Sequence, residues 1–243
     1  MIRKNDVMLR WVAPVGQSAR LAGQMLLPQN LLGINWGAFH SSLRWMGLGS
    51  LPLVGLSAMF VSMALTIQTV NEMDRFSAQD LSGAVISIGL LRELGALTVS
   101  VAWCARVCAR LCGEAYDFRG LNADFVTQFA LPKYLCALAM SVPLGGYGLV
   151  IGFITSALFA PTLGVSSTMD YLEGARLGIR DKDLVVYFVK LVLLNPTIGV
   201  FAGCAFGRFA RGNRSEVVSN AVTAMFIASM FANLLFTYAV YMP

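Results

Sequence analysis

Residues 134 to 169 run for 36 positions without one Asp, Glu, Lys or Arg, a stretch that no water-facing surface absorbs. A bilayer core about 30 Å thick needs roughly 20 apolar residues per helix. Residues 45 to 71 and 217 to 243 give 27 uncharged positions each, so three spans follow directly. Residues 184 to 207 carry a single charge, Lys190, and residues 82 to 105 carry only Arg92 and Glu93. Both read as spans, and Lys190 is predicted to snorkel toward the nearer interface. With 57% hydrophobic and 13% charged residues, against about 25% charged in soluble domains, the chain reads as one membrane-embedded unit of five helices.

The orientation follows from the bias of Lys and Arg toward cytoplasmic segments. The stretch before the first span holds Arg3, Lys4, Arg10, Arg20 and Arg44 against Asp6. The next connection is acidic (Glu72, Asp74, Arg75, Asp80), and the one after it carries Arg106, Arg110, Arg119 and Lys133. Residues 170 to 183 return to an acidic excess, and Arg208, Arg211 and Arg214 precede the last span. The alternation places the N-terminus in the cytoplasm and the C-terminus outside. The formal charge of +5 is spread over these short segments and forms no basic face, which argues against nucleic-acid binding.

Residues 1 to 44 are too weakly apolar to span and show no signal-peptide pattern. Met8, Leu9, Trp11, Val12, Val15, Leu21, Met25 and Leu26 recur at near-helical spacing with Arg10 and Arg20 among them. That pattern suits an amphipathic helix in the membrane interface, or an ordinary cytoplasmic helix. The domain division is therefore residues 1–44 as an N-terminal interfacial segment and residues 45–243 as the five-span body.

Arg92 and Glu93 are the most informative pair, because a charge within a span costs at least about 2.5 kcal/mol. Helix neighbours diverge by about 100°, so each side chain needs a partner from elsewhere. Two readings stand: interhelical ion pairs that are structural, or a polar substrate cavity. Cys104, Cys108 and Cys112 recur every fourth residue. With the lone His40 distant in sequence, they read as a packing stripe and not as a metal site. Gly199, Gly203 and Gly207, like Gly148 and Gly152, are spaced for close helix contact. Pro196 removes a backbone donor and predicts a kink near Val192, compatible with a hinge but read as static shape. No phosphate loop, zinc-protease or nucleophile-elbow motif is present in the sequence, so no catalytic residue is assigned.

Several stretches together are similar to the MlaE/YrbE family of permeases, the membrane subunits of ABC-type lipid transporters that work with MCE-domain proteins. Gly47 to Val54 and Ala64 to Gln68 resemble its first span. Leu91-Arg92-Glu93-Leu94-Gly95 resembles its most recognisable motif, Ala105-Arg106-Val107 with Glu114 the end of that helix, and Leu131-Pro132-Lys133 and Asn233 to Thr237 continue the correspondence. Ala96 stands where a proline is usual, Cys108 where a glycine is, Asn233 where an acid is common, and Asn220 and Ala224 where arginines are common. Between Glu114 and Pro132 only 17 residues replace a longer coupling segment.

The resemblance implies an all-α integral membrane permease in the bacterial inner membrane, with no cofactor of its own and ATP-Mg held by a separate ABC ATPase. A second permease subunit, identical or homologous, would complete a lipid cavity at the dimer interface, open to an MCE-domain protein. Carried over to this chain, Leu65, Met73 and Phe76 line the lipid cavity with Arg92 and Glu93, and Arg106, Arg110, Glu114 and Arg119 form the ATPase-coupling surface. The shortened coupling segment favours one alternative, a non-transporting or regulatory half of a heterodimer; a lesser one, a membrane enzyme acting on lipid, would need a catalytic constellation that the sequence does not show.

Overall fold

A computed structural model describes residues 4–25, 33–120 and 124–242. Every regular element among them is helical. In chain order these are α1 (Lys4–Met25), α2 (Trp36–Met46), α3 (Leu51–Asp74), α4 (Ser82–Gly89), α5 (Gly95–Asp117), α6 (Leu131–Phe159), α7 (Thr168–Gly178), α8 (Asp181–Val189), α9 (Asn195–Phe209) and α10 (Arg214–Tyr241). Three one-turn π-helices, Val126–Ala130, Leu90–Leu94 and Lys190–Leu194, join or precede α-helices without a break in the run. Five runs are long and apolar enough to cross a membrane: Trp36–Asp74, Gly95–Asp117, Val126–Leu163, Asp181–Phe209 and Arg214–Tyr241.

Five spans were expected, and the boundaries differ from the charge-free blocks in instructive ways. The second helical run goes on from Leu94 to Asp117, because Arg106, Arg110 and Glu114 sit on its surface and do not end it. The third begins at Val126 and stops at Leu163, where Gly164 takes φ +109, a left-handed conformation that costs glycine little. Residues 168–178 form a separate short helix, its start fixed by the Ser167 hydroxyl accepting from Asp170 N–H at 3.1 Å. The fourth run starts at Asp181 and so takes in Asp183. Pro196 lies in the first turn of α9, directly after the π-turn Lys190–Leu194, so the position where a kink is predicted, near Val192, falls within that wide turn.

The chain divides into two compact units. The first comprises Met1–Gly49, Trp103–Met140 and Leu194–Ala232. Its centre is a seam of small residues: a Cβ on Gly199 would stand 3.1 Å from Cys104 Cβ, one on Gly203 2.9 Å from the Cys108 carbonyl oxygen, and one on Gly207 2.5 Å from that of Cys112. The cysteine stripe of α5 and the glycine stripe of α9 are thus two sides of one contact. All five cysteines are free and buried. Trp103 donates its indole N–H to the Met46 carbonyl at 2.9 Å, tying α2 to α5. Helix α1 packs on α9 with Leu21 and Met25 buried. Leu26 and the side chains of Met8, Leu9, Trp11, Val12 and Val15 lie outside what is described.

The second unit comprises Ser50–Ala102, Ser141–Leu193 and Asn233–Pro243. Here α4 lies tightly on α7, where a Cβ on Gly178 would stand 2.6 Å from the Ala84 carbonyl oxygen and one on Gly174 3.0 Å from that of Asp80. Val70, Ile86, Leu90, Val165, Tyr171 and Ala175 form its core.

Candidate functional site

The helix carrying Arg92 and Glu93 widens at their position. Within Leu90–Leu94 the Gly95 N–H reaches back five residues to the Leu90 carbonyl, and a side chain at Gly95 would collide with that same oxygen. Single π-turns of this kind concentrate at functional sites. Arg92 and Glu93 do not pair with each other. The Arg92 guanidinium meets Asp183 through two contacts, Nε to Oδ1 at 2.9 Å and Nη2 to Oδ2 at 3.3 Å, and lies 4.7 Å over the Tyr241 ring. The Tyr241 hydroxyl donates to Asp183 Oδ1 at 2.5 Å. Glu93 faces Lys190, with Oε1 3.4 Å from Nζ, and that ammonium also donates to the Arg92 carbonyl and to Thr237 Oγ1, each at 2.5 Å.

Three helical runs therefore supply paired rungs. Asp183 and Lys190 are seven residues apart, two turns along one face, and Thr237 and Tyr241 are four apart on α10. Asp183 also sits in the first turn of α8, where the helix dipole favours a negative charge. Lys190 does not snorkel: it is fully buried, because the Arg92 carbonyl and the Thr237 hydroxyl offer it oxygen ligands inside the protein. Asp183 is 1% exposed, whereas Arg92 keeps 30% and Glu93 43% of its side chain open. The buried partners are held inside, and the motif's own charges remain accessible.

Of the apolar positions carried over for a lipid, Leu65 is half-buried against the α3–α4 core, its methyls in contact distance of Gly89. Met73 is half-buried at the end of α3. Phe76 stands in the turn beyond it, 74% exposed, next to Ser77 at φ +52. The structure brings Arg92 and Glu93 together with Asp183, Lys190, Thr237 and Tyr241 in one network, and none of these four partners was singled out as a site from sequence.

The positions carried over for coupling lie in the first unit and are all engaged within the chain. Arg106 donates to the Gly49 carbonyl. Glu114 accepts from Arg110 Nε at 2.9 Å and from the Lys133 ammonium, while Arg110 lies 4.2 Å over the Trp45 ring. Arg119 donates to the carbonyls of Gly207 at 2.6 Å, Ala210 at 2.7 Å and Phe206 at 3.2 Å, closing the C-terminal end of α9. Burial among these groups draws its pKa below the usual arginine value. Phe118, Phe125 and Phe129 pack ring on ring with centroids 5.1 to 5.7 Å apart, and Arg208 donates to the Phe118 carbonyl at 3.1 Å. The described parts of the short connection between α5 and α6, residues 118–120 and 124–130, are packed and anchored to α9.

The Permease MlaE family matches residues 39–241, nearly the whole described membrane body. The chain belongs to the MlaE permease family. Similar proteins include a probable ABC transporter permease of Rickettsia prowazekii, 24% identical over 82% of this chain and 79% of that protein. A probable ABC transporter permease of Synechocystis is 25% identical over 87% of this chain and 83% of its own length. The chloroplast protein trigalactosyldiacylglycerol 1 of Arabidopsis thaliana is 24% identical over 84% of this chain, which spans 61% of that protein's length. This MlaE-family chain is a multi-pass membrane permease, all-α in its regular structure among the described residues.

Proposed function

We propose that this permease is the membrane subunit of an ABC-type transporter that moves phospholipid or a related lipid, with Arg92 and Glu93 facing the lipid's polar part. The observation that carries the reading is the asymmetry of the network: Asp183 and Lys190 are 1% and 0% exposed, yet Glu93 is 43% exposed. A carboxylate open to that degree within an apolar helical run is untenable against lipid tails and needs a wet cavity or a second protein surface. A second permease subunit supplies that surface, and Leu65, Met73 and Phe76 offer apolar walls for the acyl chains. A relative that carries the name of a glycolipid supports the substrate class.

In this reading the chain lies in a bacterial inner membrane with its N-terminus in the cytoplasm and its C-terminus outside, as the charge alternation favours. An ABC ATPase binds ATP-Mg on the cytoplasmic side, an MCE-domain protein receives or delivers lipid on the other, and this chain performs no covalent chemistry. A second reading, that the chain is the non-transporting half of a heterodimer, draws on one observation: Arg119 is committed to three carbonyls of its own chain, while Arg110 and Glu114 at the end of α5 are paired with each other.

The test is purification from native membrane with identification of co-purifying proteins and lipids, followed by reconstituted lipid transfer by the wild type and by Glu93→Gln. Co-purification of an ATPase and lipid, with transfer lost in Glu93→Gln at equal expression, supports the proposal. Full transfer by the variant refutes the role of Glu93, and a complex that always contains a second, different permease chain favours the heterodimer.

A further inference from the structure

Away from the charged network, the first unit contains a cleft of about 510 Å³ where α1 lies against α9 and α10. Half of the residues that line it are alanine: Ala19 and Ala22 from α1, Ala202 and Ala205 from α9, Ala224 and Ala228 from α10. Phe201, its ring centroid 5.4 Å from that of Tyr134, and Phe206 supply the large side chains. The polar side chains lining it are Ser18 and Thr197, and the Thr197 hydroxyl is already paired with that of Tyr134 at 3.2 Å.

Such a space has three fates. Left empty, its walls forfeit their dispersion contacts over a volume many times that of a methyl group. Filled with water, each molecule would lack most of the roughly two to four polar partners that a buried water needs. Hydrocarbon satisfies the walls, and two of the three helices that form them belong to membrane-crossing runs. The size permits it: a cleft of about 510 Å³ has room for a stretch of hydrocarbon chain. Alanine extends only one carbon from the backbone, so at these six positions the three helices present little side chain to fill the gap.

We infer that this cleft is a binding site for one acyl chain of a bilayer phospholipid, which seats α1 on α9 and α10. The site is separate from the Arg92–Glu93 network, and it takes a resident lipid whether or not that network handles a transported one.

The test uses the full-length protein in phosphatidylcholine vesicles containing a minor fraction of phosphatidylcholine with a diazirine midway along one acyl chain. After irradiation, adducts are mapped by peptide mass spectrometry. Adducts are expected on residues 14–22 of α1 and 197–206 of α9, as well as on the outward-facing Phe226 and Phe231. In Ala205→Phe with Ala228→Phe, which fills the cleft, the α1 and α9 adducts should be lost while those on Phe226 and Phe231 persist. Ala202→Leu serves as a milder filling variant if the double replacement does not fold, and should reduce the same adducts. Adducts confined to outward-facing residues overturn the inference, as does undiminished α1 and α9 labelling in a folded, filled variant. Labelling of the cleft by palmitic acid carrying the same diazirine, with none by the phospholipid, assigns the site to a free fatty acid and likewise overturns it.

Discussion

Arg92→Leu should damage the protein more than Asp183→Asn, although both break the same ion pair. Asp183 is 1% exposed, so removal of the guanidinium strands a buried carboxylate whose remaining side-chain donor is the Tyr241 hydroxyl. An uncompensated buried charge of that kind costs about 3–5 kcal/mol. In the converse variant the asparagine keeps an oxygen for Arg92 and Tyr241, and Arg92, 30% exposed, is not fully desolvated. The loss is then that of a charge-assisted hydrogen bond, about 1.5–3 kcal/mol. Combining Arg92→Leu with Asp183→Asn removes the stranded charge, and removing both members of a buried pair costs less than breaking it from one side. The double variant should thus be more stable than Arg92→Leu alone, a coupling of at least about 2 kcal/mol between residues in contact. Reversible unfolding in mixed dodecyl maltoside and SDS micelles, followed by far-ultraviolet circular dichroism, measures all three. If the two single costs are equal, or the cycle is additive to within about 0.5 kcal/mol, the bidentate pair does not hold α8 to the motif and the reasoning fails.

The glycine seam predicts an order of thermal stabilities in detergent. Gly207→Ala and Gly203→Ala place a methyl against main-chain oxygens at 2.5 and 2.9 Å and should each cost about 1–3 kcal/mol. Gly199→Ala meets the Cys104 side chain at 3.1 Å and should cost less, and Gly146→Ala, with nothing within 4 Å, should be neutral or stabilising. Arg119→Glu should lower stability by about 1.5–3 kcal/mol through the loss of its carbonyl contacts. Arg110→Glu, which removes an exposed ion pair and sets two carboxylates one turn apart, should cost only about 1 kcal/mol and, in an assembled complex, separate ATP hydrolysis from lipid transfer. Protease protection of tags in sealed vesicles should find Met1 and Pro243 on opposite sides, and access to both from one side would mean an even number of crossings.

The helical architecture was legible because bilayer thickness imposes it: the blocks 45–71, 134–169 and 217–243 admit one solution, and Arg92 with Glu93 was marked by the cost of charge in a span. Their partners were hidden for a definite reason. A search for charge-free blocks starts the fourth span at residue 184 and so assigns Asp183 to a connection, although its opposite charge two turns from Lys190 mirrors the Arg92–Glu93 pair. Thr237 and Tyr241 carry no charge to betray them, and Lys190 was read from its distance along the chain to a span end, which says nothing of the oxygen atoms waiting inside. The cysteine and glycine stripes were each recognisable as packing surfaces by their spacing. That they pack against each other is a fact of tertiary structure that spacing does not contain.

The π-turn at Leu90–Leu94 works as an indexing device. One hydrogen bond there spans five residues where an α-helix spans four, so the turn holds one residue in excess. Tightening it to α-helical pitch would swing one end of the helix about 100° relative to the other for an axial change of only ~1.5 Å. The bearing of the guanidinium and carboxylate toward Asp183 and Lys190 is thereby geared to a single local bond, and the π-turn Lys190–Leu194 places a second such gear on the facing helical run. Deleting one residue from either turn should re-aim the charges while leaving the length of the span almost untouched, which makes the phase of these helices, more than their position, the quantity on which the motif depends.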